Sequence, residues 1–330
     1  LAFPRLIAPK FIPVSNRSAT WSRFSLGGDI MNRPRFFRMA QFNLGLNYDW
    51  MASAFSKNQI TLFELKYNKL IRKTAEFSQT MSFEDQFIPK FGYTYSYDRN
   101  FSNRRNRDRQ FTLQLSLVEG GNLFSGIWRL AGDRGQKRLF GTPFSQFIKG
   151  TASVTYSHLL APDQRIVARI MTGAAHAYGN SQAVPYNEQF YIGGANSIRA
   201  FAVRSVGPGR YHSSSRRDNG YYDQTGTFRF EMNLEYRFPI AGMLKGALFA
   251  DAGNIWLLKD DPARPGGKLS RTDFLRDLAL GTGVGLRFDM GMLVIRGDLG
   301  YGLHLPYDTG HSGYFNVGKF GDSLAFNLAI

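Results

Sequence analysis

Residues 227–238 read TFRFEMNLEYRF. Taken alternately they separate without exception, Phe228, Phe230, Met232, Leu234, Tyr236 and Phe238 on one side and Thr227, Arg229, Glu231, Asn233, Glu235 and Arg237 on the other. Successive side chains of a β-strand point to opposite faces, so this is a strand with one apolar and one polar face. A sandwich strand alternates this way over about six residues. A longer unbroken apolar row suits lipid on one side and an aqueous lumen on the other.

The same period recurs on both sides of that segment. Residues 41–50 place Phe42, Leu44, Leu46, Tyr48 and Trp50 against Gln41, Asn43, Gly45, Asn47 and Asp49. Residues 59–67, 91–97 and 111–117 follow suit, the last with Thr112, Gln114 and Ser116 on the polar side. Weaker alternation marks 20–28, 151–156 and 165–174, and clear strands return at 245–256, 278–288, 293–301 and 323–330. The expectation is about a dozen strands. Their connections alternate in length: 239–242 and 289–291 are short, whereas 178–225, 257–276 and 302–321 are long. Outer-membrane barrels have short periplasmic turns and long extracellular loops, which also assigns the connection 119–146 to the extracellular side. The fold class expected is therefore all-β, a transmembrane antiparallel β-barrel.

The chain has 330 residues with no compositional break and no linker, which favours one unit over 1–330. No run of about 18 apolar residues marks a membrane helix, and a mean hydropathy of −0.28 fits alternating strands. Aromatic residues make up 15%, in keeping with interfacial girdles. Cysteine is absent, which removes disulfides, thiolate catalysis and Cys-ligated metal together. Residues 1–17 are apolar and broken by proline, and a start at Leu1 without Met or a leader reads as a processed or partial chain.

A net charge of +16 calls for an anionic partner. Nucleic acid fits poorly, because the cations are spread through the alternating segments and their loops without a recognition helix or zinc spacing. Lipopolysaccharide phosphates and anionic lipid head groups are the more economical partners. Nothing suggests an enzyme. The five histidines show no metal-ligand spacing, and no cofactor or metal is expected. Gly281-Thr282-Gly283-Val284-Gly285 resembles a phosphate loop but lies in a strand, where its glycines leave room on the lumen side. The Arg run at 104–109 reads as a solvated turn facing the periplasm.

One connection is too long and too patterned to be a plain turn. Residues 188–211, EQFYIGGANSIRAFAVRSVGPGRY, bracket Arg199 between Gly193-Gly194 and Gly207-Pro208-Gly209, with Ile198, Ala200 and Phe201 beside it. By alternation Glu235 and Asp251 point into the lumen from the two strands that follow, and a guanidinium entering that lumen needs such a carboxylate partner. The loop resembles the lid-loop signature of the BamA/TamA superfamily of outer-membrane assembly barrels, (V/I)RG(F/Y/W) after GG and before GPG, of the surface-antigen barrel type. Ala200 stands where that family most often has Gly. NLEYRFPI at 233–240, FADAGNIW at 249–256, GGNLF at 120–124 and GTPFSQFIK at 141–149 carry the likeness further.

The resemblance implies that Arg199 is a pin whose acidic partners are Glu235 and Asp251, in a lid loop spanning about 178–225. It also implies a barrel of about sixteen strands, so that some N-terminal strands and the family's periplasmic POTRA domains are expected to lie outside this chain. The implied function is insertion and folding of outer-membrane proteins in a Gram-negative outer membrane. Its implied partners are client outer-membrane proteins, periplasmic or lipoprotein accessory subunits, and outer-membrane lipids with lipopolysaccharide. A two-partner-type secretion pore and a passive or lipid-organising barrel are the alternatives.

Overall fold

The structure is a computed structural model and describes residues 1–4, 20–33, 37–73, 85–99, 108–130, 135, 137–212, 224–318 and 320–329. The strands are β1 (Ala2–Phe3), β2 (Thr20–Arg33), β3 (Phe37–Met51), β4 (Ser56–Lys73), β5 (Gln86–Asp98), β6 (Arg109–Gly120), β7 (Arg138–Leu139), β8 (Thr142–Pro143), β9 (Phe147–Ala161) and β10 (Gln164–Ala177). They continue with β11 (Phe228–Ala241), β12 (Leu244–Trp256), β13 (Ala279–Asp289), β14 (Val294–His304) and β15 (Leu324–Ala329), and one helix, α1 (Asn122–Leu130), follows β6. Among the described residues thirteen of these strands form one sheet in the order β1-β2-β3-β4-β5-β6-β9-β10-β11-β12-β13-β14-β15. Neighbours in the sheet are neighbours in sequence apart from the excursion through α1, β7 and β8, which is the meander that alternating short and long connections require.

The period-2 rows sort as lipid and polar faces should. On β11, Leu234 is 53% exposed while Glu231 is 0% exposed. On β13 the bare row is Val284, Leu286 and Phe288, and the covered one includes Gly281, Gly285 and Arg287. A membrane-crossing strand needs about 9–11 residues. The sheet strands from β2 to β14 have 11 to 18, whereas β15 at the end of the order has 6.

Two expectations are corrected. The connection 119–146 is more than a loop, since it carries α1 and the β7–β8 hairpin. A helix of nine residues is too short for its periodicity to stand out from sequence, and it is fastened locally by Glu119, whose carboxylate accepts from the Asn122 amide at 2.8 Å. The polar row of β11 is also not simply wet, because Glu231 is covered by Ser197 and Glu235 by Arg199 of the loop. The Arg-rich run at 104–107, most of 1–17 and loop residues 213–223 lie outside the described residues.

The chain divides into two compact units. The first comprises Leu1–Ser102, Gln114–Thr151 and Ala175–Glu188. Its core gathers Phe37, Met39 and Tyr186, with Met31 and Leu70 packed against them, and the Phe37 and Tyr186 rings meet edge to face at 5.3 Å. The second comprises Asn103–Leu113, Ala152–Ala174 and Gln189–Ile330. It buries Ile192, Ile198 and Val206 from the long connection together with Ile255 and Trp256 of β12.

Candidate functional site

The site is built by the connection between β10 and β11. Its chain bridges Phe190 to Gly226 through two hydrogen bonds of 2.9 Å, then turns back on itself. The amide of Gly194 donates to the Phe201 carbonyl and that of Arg204 to the Ile192 carbonyl, each at 2.8 Å. Gly193 makes the turn possible: its φ is 100°, and a Cβ there would stand 2.1 Å from the Ala202 carbonyl oxygen. Beyond Arg199 the chain docks on β12 through Gly207-Pro208-Gly209, where the Gly209 amide donates to the Ile255 carbonyl at 2.7 Å and Asn254 Nδ2 donates to Gly209 at 3.0 Å.

At the tip, Arg199 meets Asp251 and Glu235. Its backbone N–H and its Nε both donate to Asp251 Oδ2 at 2.9 Å, and its Nη2 donates to Oδ1 at 2.9 Å. Nη1 donates to Glu235 Oε2. The guanidinium lies 3.7 Å from the centroid of the Phe249 ring. A planar fork matched to a carboxylate, with a second carboxylate on its remaining prong and an aromatic face beneath, is a geometry an ammonium cannot reproduce. Arg199, Asp251 and Glu235 are all buried.

The partners are themselves held. Asn233 pairs with Asp251 in the β11–β12 register, and its Nδ2 donates to Asp251 Oδ1 at 2.8 Å and to the Ser197 carbonyl at 2.9 Å. Ser197 Oγ accepts from the Gly193 amide and donates to Glu231 Oε1. Glu235 also accepts from Arg237 Nε at 2.6 Å and Arg287 Nη2 at 3.3 Å, and Arg287 donates onward to Asp298 at 2.6 Å. Arg169 and Arg296 hold the preceding residues, donating to the carbonyls of Asn196 at 2.7 Å and Ala195 at 3.0 Å. From β15, Asn327 Nδ2 donates to the Arg199 carbonyl at 2.7 Å.

The loop backbone comes this close because β13 and β14 carry glycine where it lands. Gly281 faces Gly302 and Gly283 faces Gly300 in the register. A Cβ at Gly300 would be 2.7 Å from Ala200 Cα and 2.8 Å from the Arg199 carbonyl, and one at Gly281 would be 2.3 Å from Ala200 Cβ. The methyl of Ala200 is thus met by bare backbone, and the ring of Phe201 lies over Gly302.

Among the candidate residues, Arg199, Glu235 and Asp251 come together, Gly193 and Gly194 form the reversal before them, and Gly207, Pro208 and Gly209 dock the chain after them. Ile198, Ala200 and Phe201 are buried around the pin. Asn233, Glu231, Arg169, Arg287, Arg296 and Asn327 are participants that the sequence reading did not single out. Parity places Asn233 and Glu231 in the row of Glu235, but only the register brings Asn233 opposite Asp251.

The beginning of the same connection is tied separately. Glu188 accepts from Lys90 Nζ at 3.0 Å and Lys149 Nζ at 3.1 Å, and Lys90 also pairs with Glu64 at 3.0 Å. Burial alone would push the Glu188 carboxyl up, but the two ammonium groups outweigh it and hold it below the usual carboxylate range. No group of three or more His, Asp or Glu residues placed to hold a metal occurs among the described residues. The tip borders a cavity of about 200 Å³ lined by Arg169, Asn196, Arg199, Glu235, Arg237 and Arg296. This arrangement grips a segment of chain.

The Omp85 superfamily domain matches residues 14–320. The outer membrane protein assembly factor BamA of Neisseria meningitidis serogroup B is 27% identical over 180 residues, 52% of this chain and 21% of that protein. BamA of Nitratidesulfovibrio vulgaris is 32% identical over 181 residues, 54% of this chain and 20% of that protein. The chain therefore spans about a fifth of the length of the curated relatives it matches. Among solved structures, BamA from Haemophilus ducreyi lacking POTRA domains 1–3 superposes with a TM-score of 0.56 at 14% identity, covering 87% of this chain and 58% of that one. CdiB from Escherichia coli superposes with a TM-score of 0.52 at 13% identity, covering 94% of this chain and 49% of that one. These likenesses establish the fold, an antiparallel outer-membrane β-barrel.

Proposed function

The chain belongs to the Omp85 superfamily of Gram-negative outer-membrane β-barrels, and from that premise we propose that it acts in assembling outer-membrane proteins. The protein is not an enzyme; its work is mechanical and interfacial. The observation that carries the reading is the fork of Arg199 on Asp251 with Glu235 on the remaining prong, which anchors a long loop to the polar wall. BamA relatives named as assembly factors support it.

Physically, insertion needs a rigid wall and an edge that can receive a strand. The pinned loop stiffens the polar side of β11 to β14. Among the described residues β15 stands at the end of the sheet order, paired with β14 over 324–329, and its other edge is where a further strand would pair. A client strand can add there by β-augmentation, its backbone satisfied before it meets lipid. Client outer-membrane proteins, accessory subunits and lipopolysaccharide-bearing lipid are the partners this mechanism calls for.

The test is reconstitution of the full-length protein in vesicles with an unfolded outer-membrane protein as client. Faster appearance of protease-resistant, folded client than in empty vesicles is the expected result. A large, steady single-channel conductance with no acceleration of client folding would sink the proposal and leave a secretion pore. Neither acceleration nor conductance would leave a passive barrel.

A further inference from the structure

The connection between β6 and β9 plays no part in that mechanism. α1 packs through Phe124 and Trp128 on the ring of Phe144, at centroid distances of 6.3 and 6.2 Å. Lys137 Nζ ties the helix down by donating to the Ser125 carbonyl at 3.2 Å. A different face carries Leu123, Ile127 and Leu130, which share one stripe at i, i+4 and i+7. They are 60%, 58% and 91% exposed, and Phe140 in the same connection is 85% exposed. Large apolar side chains left bare together mark a surface that meets something other than water.

What meets them follows from where the connection is fastened. The Ser145 amide donates to the Phe87 carbonyl at 2.8 Å, and Phe144 bridges Phe87 in parallel. The Phe140 ring lies 6.0 Å from that of Phe87, which stacks on Tyr67 at 4.6 Å. Glu64 pairs with Lys90 and Tyr67 with Phe87 in an uninterrupted stretch of the β4–β5 register. Glu64 and Lys90 meet in a salt bridge on the polar face, so Tyr67 and Phe87, three positions away, belong to the opposite row, the one that faces lipid. The connection thus continues the sheet beside β5 at 144–145, and its Phe140 joins the lipid-facing aromatics of the wall. Arg129 and Arg138 are exposed beside it, where anionic head groups attract cations.

We propose that α1 and Phe140 form a membrane-interface anchor, the stripe Leu123–Ile127–Leu130 lying in the head-group and acyl boundary of the leaflet at the long-loop end of the barrel. An amphipathic helix of this kind sits about 5–10 Å into that boundary. Its occupant is the lipid surface, and it would fix the height of the first unit's wall in the bilayer.

These 330 residues contain no cysteine, so a single label is unique within them. Leu123→Cys, Ile127→Cys and Leu130→Cys, each carrying an environment-sensitive fluorophore, are placed in the full-length protein in phosphatidylcholine–phosphatidylglycerol vesicles. The expected result is blue-shifted emission, quenching by a nitroxide on the lipid head group, and protection from aqueous iodide at all three positions. Arg276→Cys, whose side chain is 74% exposed in another long connection, serves as the water-facing reference. Water-like emission with iodide quenching at the three helix positions would overturn the proposal. Shielding from both quenchers would overturn it too, by showing a protein rather than lipid on the stripe.

Discussion

Arg199 is the side chain on which most of the buried polar network depends. It supplies the salt bridge of Asp251 and joins Arg237 and Arg287 on Glu235, and removing one member of a buried ion pair costs about 3–5 kcal/mol because the partner stays charged and desolvated. Arg199→Ala is therefore expected to free the loop tip, seen as rapid proteolysis between β10 and β11, while the strands remain in the membrane because their lipid-facing rows are untouched. Arg199→Lys keeps the charge but not the fork, and should recover only part of the protease resistance. Equal resistance of the wild type and both variants would show that the fork does not hold the loop.

The elements around that side chain matter through what they lack. β13 and β14 offer glycine under the loop, so Gly300→Val places a side chain where Ala200 Cα and the Arg199 carbonyl already lie. Overpacking of this kind costs about 1–3 kcal/mol. The loop, not the strand, is expected to give way, detected as faster hydrogen exchange at 192–204 with β13 and β14 amides unchanged. The opposite pattern would place the tolerance in the sheet. At the start of the connection, Glu188 makes a pH-dependent tie. Its carboxyl is held below the ordinary value of 4.5 by Lys90 and Lys149. A group depressed in the folded state contributes fully above its unfolded value and loses that contribution as pH falls through the folded one. Exchange at 184–190 should therefore quicken as pH is lowered below about 4.5, after correction for intrinsic rates. Glu188→Gln should remove the dependence, and a dependence that survives it would assign the titration to another group.

For the molecule as a whole, the alternation of faces makes a three-way prediction for single cysteines in vesicles. Leu234→Cys should react with lipid-soluble thiol reagents only. Arg237→Cys, at a position whose side chain is 44% exposed, should react with small aqueous ones. Glu231→Cys should react with neither while the loop is seated, and should become reactive to aqueous reagents in the Arg199→Ala background. Labelling of Leu234→Cys and Arg237→Cys by the same reagent would contradict the barrel; aqueous labelling of Glu231→Cys with Arg199 in place would contradict the seated loop.

The long strands and their faces were legible because alternation is local: a residue's neighbours at i±1 and i±2 reveal which side of the wall it occupies, as in 227–238. The pairing of Arg199 with Glu235 and Asp251 was legible in part, because parity leaves few carboxylates available to a cation entering the polar side and family resemblance points to two of them. Neither source of information includes the register. Asn233 lies opposite Asp251, Gly283 opposite Gly300, and Asn327 reaches the Arg199 carbonyl through pairings set by strand stagger, which period 2 leaves free. The helix α1 was hidden for another reason. Nine residues whose one face packs on Phe144 while another stays bare acquire their meaning from the side of the wall they are fastened to, and that is a property of the folded chain alone.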